Sequence, residues 1–211
     1  QNGPVETAGK GLEADKLSRS AMLDYYKGYL GIMDRASSHR LGSTVKYLMV
    51  DSYEAGKGTW TPDMPEQFKA RRGYDLTRWL PVLTGMVIGS AEESDDFLED
   101  WRKTLGELIV ENHYDLAAEV ARSYGMECHM ESHEQMSAYI GDGLMAKRNA
   151  AVPMGAIWVR YGMGIYSSTP VVEADIRESA SAAHIYGGNI CGAESFSVHS
   201  KQTVDGHYPA Y

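Results

Sequence analysis

Apolar and polar positions alternate along the chain in one repeated unit. A short β-rich run ends on polar residues and glycine, and an amphipathic helix follows it. Four such runs occur, at residues 45–50, 126–130, 156–159 and 189–193. The first ends on Asp51-Ser-Tyr-Glu54, the second on Glu131 and the fourth on Glu194. Between the first two, Phe97, Trp101, Leu105, Leu108, Ile109, Leu116 and Val120 keep helical spacing. Ser94 with Asp95 and Asp96 is the expected N-terminal cap of that helix, and Gly125 its stop. Further helices are predicted at about 17–33 and 173–186, with a short one opening at Asp63-Met-Pro-Glu66.

Strands separated by helices of this length pair in parallel through right-handed crossovers. That leaves a doubly wound sheet or a (β/α)8 barrel. No strand is followed by a G-x-G-x-x-G or G-x-x-x-x-G-K-[ST] turn, so a nucleotide fold has no phosphate loop to rest on. Acidic and polar residues at one strand end after another suit a barrel, whose C-terminal strand ends converge on one face. Four strands amount to half of an eight-stranded barrel, so residues 1–211 are read as a single partial barrel domain. The remaining strands are expected from the parent chain.

A formal net charge of −9 over 211 residues, with basic residues dispersed, argues against nucleic acid as a partner. It argues equally against an anionic membrane surface. No apolar stretch approaches the ~20 residues a spanning helix needs. Cys128 and Cys191 are too few for a disulfide framework, and both are expected as small buried fillers.

Three segments carry candidate chemistry. In Asp51-Ser-Tyr53-Glu54-Ala-Gly-Lys-Gly-Thr-Trp60, an acid leaving a buried strand must be paired or working. The glycines there admit a ligand close to the backbone, and Trp60 offers a face to a sugar ring. In His129-Met-Glu131-Ser-His133, alternate residues point one way along an extended chain, as in a row of zinc ligands. Glu131 serves equally as a substrate or ion contact. Glu194 follows a Gly-Ala pair that leaves space above it, as a base reaching for water requires. Two carboxylates three strands apart suit the general acid and base of a glycosidase. The loop 135–148 is a candidate cover for the site.

Taken together, these blocks resemble glycoside hydrolase family 106, the α-L-rhamnosidases. The resemblance rests on Asp51-Ser-Tyr-Glu54 with Trp60-Thr-Pro, on Phe68-Lys-x-Arg71-Arg72-Gly73-Tyr74-Asp75, and on Leu80-Pro81 and Gly85. It extends to Gly11-Leu-Glu13-Ala-Asp15-Lys16-Leu17-Ser18, Ala180-Ser-x-Ala183-His184-x-Tyr186-Gly187 and Ala193-Glu194-x-Phe196. It implies a (β/α)8 catalytic domain of which this chain covers strands four to seven, inverting hydrolysis, and a calcium ion near the sugar. Glu54 is then the acid on strand four and Glu194 the base on strand seven. Asp51, Tyr53, Trp60, His129, Glu131, Trp158 and His184 are the expected sugar contacts, with Glu13, Asp15 and Glu131 as oxygen ligands for calcium. The resemblance further implies a secreted or periplasmic enzyme acting on a carbohydrate. One departure stands out: after Pro153-Met-Gly155 the family usually carries Glu-Phe-Trp, and here Ala156-Ile-Trp158 stands. A catalytically impaired carbohydrate-binding relative is therefore an alternative, and a zinc hydrolase built on His129, Glu131 and His133 is another.

Overall fold

The computed structural model describes residue 7 and residues 10–53, 58–132, 141–159 and 170–198. It places strands β1 (Tyr47–Val50), β2 (Glu127–Met130), β3 (Val152–Val159) and β4 (Gly192–Val198) in one sheet, ordered β1-β2-β3-β4. Every pair is parallel. The expected strand order and sense hold. The bounds of all four strands move, and β4 begins late enough that Glu194 lies inside it and not beyond its end.

Helices fill the crossovers: α1 (Arg19–Ala36), α2 (Met64–Arg72), α3 (Ala91–Ile109), α4 (Leu116–Ser123), α5 (Gly143–Ala146) and α6 (Pro170–Ile185). The long helix anticipated from residue 97 to 120 is interrupted. A π-helical segment, Val110–Asp115, separates α3 from α4. Its cap also differs from expectation. Ser90 caps α3 through a reciprocal bond pair with Glu93, satisfying two end groups at once. Ser94 instead sits buried within the helix, its hydroxyl bonded to Ile88. Pro65 opens α2 as predicted, and Gly73 closes it in the left-handed region at φ +84°.

Each strand presents alternate residues to opposite faces. Leu48, Val50, Cys128 and Met130 are buried, and all four join α1, α3 and α4 in one apolar core. Tyr47 and Met49 point the other way and stand 48% and 52% exposed on the opposite face. Cys128 is the buried filler expected of it, and burial pushes its thiol up to about 12. Cys191 is exposed, because it precedes β4 on an edge strand that nothing covers among the described residues.

Candidate functional site

Register decides which acids meet. Val50 pairs with Met130, so Asp51 and Glu131 follow at the same level on neighbouring strands. Ala156 pairs with Glu194 on the next pair. All four lie on the face of the sheet to which Tyr47 and Met49 point. Asp51, Glu131 and Glu194 bring one carboxylate oxygen each to within 4.8 Å of one another.

The three differ sharply in environment. Asp51 is exposed and Glu194 half-buried, whereas Glu131 is 3% exposed. Its Oε1 has no hydrogen-bond partner among the described residues. Burial pushes the Glu131 carboxyl up to about 7, helped by the charges of Asp51, Glu194 and Asp175 and opposed by Lys147. A buried oxygen without a donor is costly unless a ligand completes it. Three converging carboxylates offer hard oxygen donors, which suit a calcium ion better than the N and S ligands zinc prefers.

Around this cluster lies a buried polar network that no sequence pattern announced. Lys147 is fully buried, with Nζ 2.6 Å from Glu178 Oε1 and 3.7 Å from Asp175 Oδ1. The Ser132 hydroxyl donates to the same Glu178 oxygen at 3.0 Å. Asp175 accepts the main-chain N–H of Ala156 at 2.6 Å, fixing the strand position opposite Glu194. The described part of the loop foreseen as a cover is thus anchored against α6. Asp142 caps α5 there, and Arg148 forks onto Asp115. Residues 135–140 lie outside the described residues.

The other expected site residues divide. Glu54 and His133 lie outside the described residues, and Trp158 is placed by its β3 backbone alone. His129 lies on the same face of the sheet as the cluster, its ring 4.4 Å from that of Tyr47. Tyr53 is buried with its ring against His113, where burial, then Glu13 and Asp15, raise its pKa. Trp60 keeps 49% exposure and stacks on Trp101 at 6.1 Å, leaving one face open. Glu13 binds Lys16 at 2.7 Å, and Asp15 accepts the N–H of Leu17. Neither belongs to the acidic cluster, so the group that can hold a cation shares only Glu131 with the expected ligands. His184 is exposed in the last turn of α6. Because α6 joins parallel β3 to β4, that turn lies at the end of the sheet away from the cluster.

Comparison with known proteins agrees with this architecture. The family model described as alpha-L-rhamnosidase matches residues 1–208. The chain belongs to glycoside hydrolase family 106. A rhamnosidase structure from Novosphingobium sp. PP1Y superposes with a TM-score of 0.86 at 36% identity, over 96% of this chain and 19% of that one. A protein of Formosa agariphila described as "Putative beta-glucuronidase" is 31% identical over 199 residues, which is 93% of this chain and 16% of the relative. The chain thus spans less than a fifth of either relative's length.

Proposed function

We propose that this family 106 chain carries the catalytic face of a (β/α)8 barrel in an inverting glycosidase that removes a terminal deoxysugar of the rhamnose type. The observation that carries the reading is the Asp51–Glu131–Glu194 cluster on three strands of one parallel sheet, with a buried carboxylate oxygen left unpartnered. Residues 1–211 are one partial domain in this reading. The strands that complete the barrel come from the rest of the protein, and cover Tyr47 and Met49.

Asp51 and Glu131 would hold a calcium ion, with Glu194 at its edge. Bound there, the cation would supply a fixed positive charge for sugar hydroxyls. The protein's own groups perform the proton chemistry. Glu194 takes a proton from a water on one side of the sugar ring, and Glu54 delivers one to the glycosidic oxygen on the other. The small side chain of Ala156 beside Glu194 leaves room for that water. Inversion requires about 6.5–9.5 Å between the two carboxyl groups. Trp60, half exposed, offers a face for a sugar ring. Export to the periplasm or exterior fits an enzyme whose substrate is a polymeric or conjugated glycoside.

The test is to assay the full-length protein on aryl α-L-rhamnoside and aryl β-D-glucuronide, with and without calcium, reading the product anomer by NMR. Glu54→Gln is expected to lose turnover and regain part of it on a substrate with a very acidic leaving group. Glu194→Gln is expected to lose roughly 10²–10⁴-fold on every substrate alike. Retention of anomeric configuration, or equal leaving-group dependence in both variants, would reject the assignment. Binding of rhamnoside without turnover would favour the impaired relative suggested by Ala156.

A further inference from the structure

We infer that Tyr114, presented by the π-helical segment, is a positioning residue for the acidic cluster and acts through the main chain of Ser132. The inference rests on the role proposed above for Asp51, Glu131 and Glu194.

A carboxylate whose oxygen must stay free for a ligand cannot be oriented by donors on that oxygen. Its aim has to come from the backbone that carries it. The main-chain N–H of Glu131 donates to Val50 at 3.0 Å, which ties it to β1. The stronger constraint falls on the next residue. The Ser132 carbonyl accepts the Tyr114 hydroxyl and, at 3.2 Å, the N–H of Tyr53. Its hydroxyl donates to Glu178, which Lys147 also holds. Ser132 is therefore gripped from three directions: the end of β1, the π segment and α6. Fixing both sides of that residue fixes the φ and ψ that aim Glu131.

The π segment suits this task. Asn112, His113 and Tyr114 are all buried, and π turns recur at functional sites. Its side chains hold separate parts of the chain. Asn112 donates to the Leu17 carbonyl at 2.7 Å, His113 meets Tyr26, and Asp115 binds Arg148 and Asn149. The Tyr114 hydroxyl thus projects from a segment locked by its neighbours, and Tyr114 is 0% exposed.

The experiment uses the full-length protein and calcium chloride as the probe, with affinity read by calorimetry and turnover on an aryl glycoside. Tyr114→Phe removes one hydroxyl and leaves the Ser132 carbonyl its bond from Tyr53, so the melting midpoint is expected to stay within about 4 °C. Calcium affinity and kcat should each fall roughly tenfold while KM changes less than about twofold, because a small misalignment weakens reacting geometry more than sugar binding. Ser132→Ala, which loosens the same residue from the α6 side, should lower both in the same direction and decides the matter alone should Tyr114→Phe fail to fold. Wild-type calcium affinity and kcat in both variants, in a protein where Glu131→Gln lowers them, would overturn the inference while leaving the cluster's role intact. A fall in kcat that merely tracks the folded fraction, at unchanged calcium affinity, would also overturn it. Should Glu131→Gln itself leave both quantities unchanged, the cluster's proposed role falls and this inference falls with it.

Discussion

Replacing Lys147 by methionine tests the buried network that frames the site. Lys147 Nζ is 2.6 Å from Glu178 and 3.7 Å from Asp175, on a side chain with no exposed surface. Methionine fills nearly the same space, so packing changes little and the loss is electrostatic. Removing one partner of a fully buried pair costs about 3–5 kcal/mol, because the other charge is stranded. Here the carboxylates keep 23% and 11% exposure and retain donors in Ser132 and the Ala156 N–H. We therefore take a discounted value of about 2–3 kcal/mol. For a unit of this size that lowers the melting midpoint by roughly 5–10 °C.

The assay is differential scanning calorimetry on the full-length protein, following the transition of the domain that contains this chain. The decisive measurement is the double variant Lys147→Met/Glu178→Gln. If the loss comes from stranded charge, neutralising Glu178 recovers about half of it, and the two changes are far from additive. A midpoint drop below about 2 °C, or losses that add in the double variant, would refute the electrostatic reasoning.

Three other outcomes are expected. Burial, aided by the Lys16 charge, holds His113 down to about 3, so the native state keeps it neutral while the unfolded chain takes up a proton near 6.5. Its contribution is fully present above pH 6.5 and is lost as pH falls, by roughly 2–3 kcal/mol at pH 4.5, and His113→Gln should flatten that part of the pH–stability curve in urea titrations. The raised Glu131 carboxyl has the opposite sign: without calcium, stability falls as pH rises from 4.5 to about 7. The fall reaches up to about 3 kcal/mol, roughly half of that once solvent screening is allowed for, and melts in chelator should show it. Gly42→Ala puts a methyl 2.3 Å from the Tyr124 carbonyl at φ +75°, and should cost about 2–3 kcal/mol in chemical denaturation.

The sheet was legible because its strands obey simple rules: buried on one face, separated by helices, and therefore parallel and in order. The acids of the cluster were legible singly, as Asp51, Glu131 and Glu194 leaving or closing β-rich runs. Their meeting was not, because spacing along the chain says nothing of register between strands. Glu13 and Asp15 entered as calcium ligands only through the family resemblance, and each is engaged within three residues of itself. Lys147 lies in the run 135–148, which reads as a loop over the site and not as part of a buried network. Its burial depends on α6 arriving from thirty residues away, a distance no local pattern reports. The π segment was invisible because one widened turn barely disturbs the 3.6-residue spacing of Phe97 to Val120.

What makes three carboxylates into one site is a stagger in the sheet. Among the described residues, β3 pairs with β2 through Val152 and Pro153 and then extends beyond Met130, the last residue of β2. Its later residues carry the β4 register, so Glu194, opposite Ala156, stands about two residues or roughly 6–7 Å further along than Glu131. A flat sheet would leave those two carboxylates at different heights. The glutamate side chains are long enough to span that offset, and the oxygens come within 4.8 Å. Alanine at 156 is part of the same geometry, because it pairs with Glu194 on the same face of the sheet. The site is thus built less by any one motif than by where two strands stop being neighbours, and the grip on Ser132 lies at that point.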